Sequence, residues 1–528
     1  MPSPKEHRLR DLSLQILSVD DSNKLIVNKE NVDEIVQRLN KADVSKLSII
    51  SIAGSFRTGK SFILNLMVKY LIHHEGKTLT ETTEWCSGMV SKHEYFQWSP
   101  GVHRKTLGIW MYTRPFVRII NGTRVGIVFM DTQGLWDGES GYGLLTSIFG
   151  MSSIISSVQV YNLMRTIELD KLDQIKWFTG FGEGAIQRCF HKEGMEPTPV
   201  FQTLHLLVRD WVGFTDVTNP DVCRDETMHF LDSQKKQKEF NKFITELENV
   251  YMTVDAVLLP PPGATCCFDA EFHGMLTAVD SAFLECATRY FHNLFSKPII
   301  KQFNGNPVVP NALREIVLRF TDIFHDAYIP ESLSFAGAML TTVNMCARES
   351  AHCSYRRSMV KFVSSGSTPL NLDDLERLHY EIRSKTLTAF SRSATYGGAA
   401  DVDIERVKLK ESIDISYGEM KLRNKENQRR GLNVYTPYVT AAIVTMLVDK
   451  SSDVVCDWWS SSCRDLSGAL FSFYGYGFIL MIGLIARFNF KNGNVLTIQA
   501  IMELGDEVQT VFVRGFKHIL ERTNILFA

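Results

Sequence analysis

A chain of 528 residues is longer than a single compact core supports, so two or more domains are expected. Its hydrophobic share of 45% and charged share of 22% are those of a folded protein, and a formal net charge of -2 argues against a nucleic-acid partner. Ten cysteines without a C-x-x-C pair speak against a zinc site.

The stretch from Met1 to Leu12 is polar and lacks the apolar core of a signal peptide, so the segment that follows is expected in the cytosol. Up to about residue 300, apolar strand-like runs alternate with helical patterns, which is the signature of an α/β domain. Leu14–Leu17, Leu47–Ala53, Arg124–Met130, Thr203–Val208 and Ala256–Leu259 are the candidate strands. Several are continuous runs of β-branched and aliphatic residues, as strands buried on both faces are. Pro260-Pro261-Pro262-Gly263 stops the last of them. Asn121-Gly122-Thr123 fits a glycosylation acceptor, but in a cytosolic domain it reads as an unmodified turn.

From about residue 308 to 430, prolines become rare and apolar residues recur at helical spacing, as in Leu372–Leu387, so a helical bundle is expected. Lys421, Arg423, Lys425, Arg429 and Arg430 form a basic cluster. It reads either as a solvated helix face or as the positive flank of a membrane segment. Gly431–Val448 carries no charge over 18 residues, yet holds Asn433, Thr436, Pro437, Thr440 and Thr445. It reads as a membrane segment or as a buried core helix. Leu466–Ala486 has 21 uncharged residues, enough to cross a hydrocarbon layer of ~30 Å as a helix. The stretch from Asp449 to Asp465 is too short for a domain, so a hairpin with both ends on one side is expected, flanked there by Arg430 and Arg487. Beyond it, residues 495–527 place Ile501, Leu504, Val508, Val511, Phe512, Phe516, Ile519 and Leu520 on one helical face. Next to a membrane segment, that pattern fits an interfacial helix.

One stretch carries specific chemistry. Gly54-Ser55-Phe56-Arg57-Thr58-Gly59-Lys60-Ser61 is a complete G-x-x-x-x-G-K-S phosphate-binding loop between an apolar run and the helical segment Phe62–Tyr70. Its glycines let backbone N–H groups curl around phosphate oxygens, and the helix start adds positive dipole. Lys60 supplies charge to the outer phosphates and Ser61 a hydroxyl to Mg²⁺. Asp131-Thr132-Gln133-Gly134 follows a strand, where an aspartate suits a water-mediated Mg²⁺ ligand and the glycine a γ-phosphate contact. Thr106 lies in a loop-like stretch from which it could reach Mg²⁺ on closure. Arg209-Asp210 follows the strand Thr203–Val208; the aspartate can accept from a guanine edge and the arginine can stack on the base. Each is a common local pattern. Their order along the chain is not.

Taken together these residues resemble the atlastins, membrane-fusing dynamin-related GTPases close to the guanylate-binding proteins. Gly54 to Ser61, with arginine at its fourth position, is similar to the family's phosphate loop, and Met130 to Gly134 is nearly its second motif. Leu207-Val208-Arg209-Asp210-Trp211 carries its Arg-Asp guanine motif. Ile154–Leu163 resembles a helix typical of the family, and Phe303 to Asn306 its linker. The resemblance implies a mostly parallel α/β P-loop GTPase domain over residues 1–305 and a linker with helical-bundle middle domain over 306–430. It further implies a membrane hairpin over 431–487 and a cytosolic tail with an amphipathic helix over 488–528. The implied activity is hydrolysis of GTP to GDP and phosphate with Mg²⁺. The implied partners are a second copy of the chain, in cis and in trans, and a lipid bilayer. The implied place is the endoplasmic reticulum membrane, crossed more than once, with both termini cytosolic.

Residue by residue, Arg57 would act as an internal arginine finger and Lys60 would neutralise phosphate charge, making these the catalytic pair. Thr58, Gly59, Ser61, Phe62 and Gly134 would line the phosphates with them, while Arg209, Asp210 and Cys266 would meet the base. Ser61, Thr106 and Asp131 would serve the metal. The chain departs from the family at Ser99, where an arginine is usual, and in a hairpin turn holding Asp453, Asp457, Trp458 and Trp459. Two further readings therefore stay open beside a fusion GTPase: a membrane tether or shaping scaffold with weak GTP turnover, and an effector like the guanylate-binding proteins.

Overall fold

The structure, a computed structural model, describes residues 13–433 apart from positions 21 and 23 and the segments 56–57, 92–94, 98–107, 135–141, 168–174, 176–198, 270–271, 327–331, 365–368 and 395–398. The expected tail helix and both apolar segments lie outside the described residues, save for 431–433, which end the last helix. Among the described residues no helix is long and apolar enough to cross a membrane.

The first strands and helices are β1 (Ser13–Val19), β2 (Leu25–Val27), α1 (Lys29–Lys41), β3 (Lys46–Gly54), α2 (Lys60–His73), β4 (Ile109–Tyr112), β5 (Phe116–Ile120) and β6 (Thr123–Thr132). There follow α3 (Tyr142–Ile155), β7 (Val158–Met164), β8 (Phe201–Arg209), α4 (Pro220–Gln234), α5 (Lys238–Val250), β9 (Tyr251–Leu258), α6 (Ala264–Phe268) and α7 (Ser281–Ser296). Among the described residues nine strands form one sheet in the order β2-β1-β4-β6-β3-β7-β8-β9, with β5 paired to β6. From β6 through β3, β7 and β8 to β9 all neighbours are parallel, while β1, β2, β4 and β5 pair antiparallel. The sheet is thus mixed and mostly parallel, as expected from the uninterrupted apolar runs.

Burial explains those runs. In β3, Ile49 and Ala53 join the core on one face of the sheet, and Ile50 and Ile52 the core on the other. The same alternation separates Val128 and Met130 of β6 from Ile127 and Phe129. Helices α1, α3 and α5 supply the first core, with Ile35, Ile148 and Ile244 among its members. Helices α2 and α7 supply the second, in which Tyr70 meets Trp85 and Phe291 edge to face. A strand covered on both faces needs an apolar residue at every position, so the period-2 signal of a half-exposed strand vanishes.

All five candidate strands are observed. The last is longer than read, because Met252, Thr253 and Asp255 of β9 are exposed and mask the pattern. Asn121 and Gly122 form the turn between β5 and β6, with φ of 48° and 73°, which suits a two-residue hairpin. One reading is corrected. Ile154–Leu163 is not one helix: α3 ends at Ile155 and β7 begins at Val158. The switch falls at Ser156-Ser157, where the Ser157 hydroxyl bridges the backbone of Ile49, accepting from its N–H at 3.0 Å and donating to its carbonyl at 3.1 Å. Those bonds start the β3–β7 ladder and end the helix.

After α7 the chain forms a small hairpin, β10 (Gln302–Phe303) and β11 (Asn306–Pro307), turned by Asn304 and Gly305 with φ of 45° and 77°. Four helices follow: α8 (Pro310–Asp326), α9 (Ser332–Val363), α10 (Leu372–Ser393) and α11 (Ala399–Asn433). They realise the expected helical region. The chain divides into two compact units, one of residues 1–353 with 389–409, the other of 354–388 with 410 onward. In the first, Arg348 is held between Glu315, Glu349 and Glu405. In the second, His379 stacks on Tyr417 with ring centroids 3.9 Å apart and shares a 2.8 Å hydrogen bond with the Tyr355 hydroxyl.

Lys301 just before the small hairpin is 1% exposed. Its ammonium donates to Ser156 O at 2.9 Å and lies 4.6 Å from the centre of the Phe303 ring. Burial lowers its pKa from 10.5 to about 7. Between those two values the unfolded chain holds a proton that the folded chain has lost, so this residue makes stability rise with pH across that window. Methionine fills the same volume without a charge. The thermal midpoint of Lys301→Met relative to the parent protein is therefore highest near pH 7 and falls as the buffer is raised to pH 9. A difference that stays flat with pH would mean the lysine is hydrated.

Candidate functional site

The C-terminal ends of the parallel strands β6, β3, β7 and β8 converge on one edge of the sheet, where open α/β sheets bind ligands. Three of these four ends carry a sequence motif. The phosphate loop leaves β3 at Gly54, Asp131 is the penultimate residue of β6, and Arg209 ends β8.

Two glycines permit the loop its path. Gly54 has φ of +144°, and a Cβ there would sit 2.4 Å from Asn162 O. Gly59 has φ of +73°, in the left-handed region, and a Cβ there would meet Arg209 Nη1 at 3.1 Å. No L-side chain fits either place without displacing its neighbour. Within the loop, Ser55 O accepts from Thr58 Oγ1 at 2.7 Å and from Lys60 Nζ at 3.0 Å. The ammonium thus folds back over the turn that would surround the phosphates. Burial lowers the Lys60 pKa to about 8, against the opposing pull of Asp131.

Ser61 Oγ donates to Asp131 Oδ2 at 2.5 Å. One hydroxyl and one buried carboxylate beside a phosphate site suit Mg²⁺, which takes few protein ligands and completes its shell with phosphate and water. Among the described residues no group of three His, Cys, Asp or Glu could hold a metal by itself. Next to Asp131, Gln133 and Gly108 exchange two bonds: Gln133 N–H to Gly108 O at 2.8 Å, and Gly108 N–H to Gln133 Oε1 at 3.0 Å. They clamp the stretch that follows Thr106 to the Asp131 motif. Gly134 is buried at the end of that motif.

Arg209 is buried at the loop, and burial lowers its pKa while Asp210 pulls it back up. Asp210 takes φ of +56°, and its Oδ1 is buried without a hydrogen-bond partner. A buried carboxylate oxygen with no donor is costly unless a ligand supplies one, and a guanine edge carries such donors. Cys266 on α6 acts on Arg209 electrostatically and is half-buried, its thiol pushed up to about 11 by burial.

The structure thus brings together Thr58, Gly59, Lys60, Ser61, Asp131, Arg209, Asp210 and Cys266. Phe62 is placed differently: its side chain enters the core, edge-on to Phe272 at 6.1 Å, so only its backbone in the first turn of α2 faces the loop. Arg57 and Thr106 lie outside the described residues, as does Ser99. Sequence reasoning missed Asn162, Gln133 and Gly108. Asn162 was hidden by the helix reading of its segment; the signal for Gly108 was a glycine two residues after a loop threonine and directly before an apolar run.

Phosphate binding needs the charged form of Lys60, whose pKa is about 8 in this site. Bound phosphates raise it, so nucleotide binding takes up a proton above that value. Affinity for GDP is expected to be level from pH 6.5 to 7.5 and to fall above pH 8, while any binding that survives in Lys60→Arg stays level over the same range. Titration of a fluorescent GDP analogue at stepped pH measures both.

Comparison with known proteins agrees with this geometry. Residues 22–303 match the family described as "Guanylate-binding protein, N-terminal domain". The chain is 31% identical to mouse atlastin-3 over 408 residues, covering 75% of this chain and 71% of the relative. It is 26% identical to human atlastin-2 over 418 residues, covering 78% and 69%. It is 25% identical to Drosophila melanogaster atlastin over 447 residues, covering 83% and 80%. With that match running through the strands that carry the phosphate loop and the Arg-Asp pair, the chain belongs to the atlastin family and is a GTPase.

Proposed function

We propose that this chain is a membrane-anchored mechanoenzyme that uses GTP-dependent homodimerisation, in cis and in trans, to tether and fuse membranes of the endoplasmic reticulum. The observation that carries the nucleotide part is the convergence of Lys60, the Ser61–Asp131 pair and Arg209-Asp210 on one sheet edge. The membrane part is supported by the family resemblance and by the uncharged segments Gly431–Val448 and Leu466–Ala486; in this reading the anchor starts at the end of α11 and both termini lie in the cytosol.

In this reading the backbone N–H groups of Thr58 to Phe62 bind the phosphates at the start of α2. Lys60 turns from Ser55 O to the β- and γ-phosphates. Ser61 and Thr106 would hold Mg²⁺, with Asp131 acting through water; when bound, the ion neutralises charge on the outer phosphates. Gly134 meets the γ-phosphate. Arg209 and Cys266 flank the base, and Asp210 accepts its N–H groups. Arg57 swings to the transferred phosphoryl group when two GTPase domains pair, where an arginine contributes ~10³-fold or more in rate.

The deciding experiment is lipid mixing between proteoliposomes that carry the full-length chain. Mixing is expected with GTP and is expected to vanish with a non-hydrolysable analogue or in Arg57→Ala, whose GTP turnover falls by ~10³-fold. Vesicles that cluster with GTP but never mix lipids would leave a tether, and Ser99 and the polar hairpin turn would become the residues to exchange.

A further inference from the structure

We propose that Asn162 is a positioning residue that ties recognition of the nucleotide base to the shape of the phosphate loop. The proposal rests on the assignment of Arg209 and Asp210 to the base. Strand β7 lies between β3 and β8, so its C-terminal end separates the loop from the Arg-Asp pair. Asn162 stands opposite Gly54 on one side and Leu207 on the other. It is 1% exposed.

Its amide spans the gap. Oδ1 accepts from Arg209 Nε at 3.0 Å. Nδ2 donates to Thr58 O at 2.9 Å and to Thr58 Oγ1 at 2.7 Å. Thr58 Oγ1 passes the connection on to Ser55 O, the oxygen that also holds Lys60. Chemistry fixes the amide's orientation. A guanidinium N–H only donates, so oxygen must face Arg209; a carbonyl only accepts, so nitrogen must face Thr58. Aspartate would turn a second acceptor toward the Thr58 carbonyl. Leucine would strand the donor of Arg209 and both acceptors of Thr58.

The Arg209 guanidinium also packs against Gly59, where a Cβ would come within 3.1 Å of Nη1. A base that draws Arg209 toward itself therefore moves the loop at Thr58, next in sequence to Arg57. No other contact among the described residues joins the base-reading side chain to the loop by hydrogen bonds on both sides. Asn162 is how the enzyme tells the phosphate end of its site that a guanine is present at the other.

A double-mutant cycle on the full-length chain tests this, with fluorescent GDP as the probe. Arg209→Lys and Thr58→Ala each weaken binding, and together they weaken it less than the product of their separate effects, by about fivefold or more. In an Asn162→Ala background the two effects multiply to within about twofold. If Asn162→Ala does not yield folded protein, the near-isosteric Asn162→Asp replaces it and the same loss of coupling is expected. A merely structural asparagine would lower the thermal midpoint and leave the coupling intact, which would overturn the proposal. Effects that already multiply in the parent chain would overturn it too. The base assignment is read separately, at the residue that would accept the guanine N–H groups: if Asp210→Ala keeps the parent's preference for GDP over ADP, that assignment fails and takes this proposal with it. Loss of the preference with a multiplicative cycle sinks the proposal alone.

Discussion

The site depends on how closely backbones can approach at the edge of the sheet. Gly54 brings β3 against the carbonyl of Asn162, and Gly59 lets Arg209 lie against the loop. Any side chain at either position would push the phosphate loop away from the strand ends that carry its partners. The parallel order β6-β3-β7-β8 then places a carboxylate, a loop, an amide and a guanidinium side by side. Nothing in that row is near its neighbours in sequence, since Ser61 and Asp131 are 70 residues apart and Thr58 and Asn162 are 104 apart.

Electrostatics follows from the same crowding. Lys60 and Arg209 are both buried, and burial pushes both toward their neutral forms. Each is partly compensated by an aspartate, Asp131 for the lysine and Asp210 for the arginine. Two cations held at a desolvation cost in one pocket are poised for a polyanion, which replaces lost hydration with direct contact. This explains how a chain with net charge of -2 binds a highly charged ligand: the positive charge is local and fixed.

Much of this was legible in the sequence because the fold repeats a local rule. A buried apolar strand followed by a turn with chemistry in it announces a strand end, and Gly54, Asp131 and Arg209 were all found that way. Strand β4 is only four residues long and Arg118 interrupts the five of β5, so neither gave a long continuous run. Asn162 was out of reach for a different reason. Ile154-Ile155 continues a helix and Val158 starts a strand, with only two serines between, and local propensity does not say which bonds those serines make. The backbone of Ile49, over 100 residues earlier, decides it. The Gln133–Gly108 clamp is likewise a contact between two loops and leaves no period in the sequence.

The sulfur around the base site has a consequence of its own. A thiol beside a guanidinium is ordinarily activated, because the positive charge favours the thiolate, and the thiolate is what oxidants and electrophiles attack. Cys266 and Cys267 both feel Arg209, yet in both the loss of water outweighs it and the thiol stays protonated, at Cys266 up to about 11. At neutral pH Cys266 therefore carries its proton. Burial thus withholds from Cys266 the activation that a neighbouring guanidinium ordinarily confers, and a neutral, half-buried thiol stands beside the arginine.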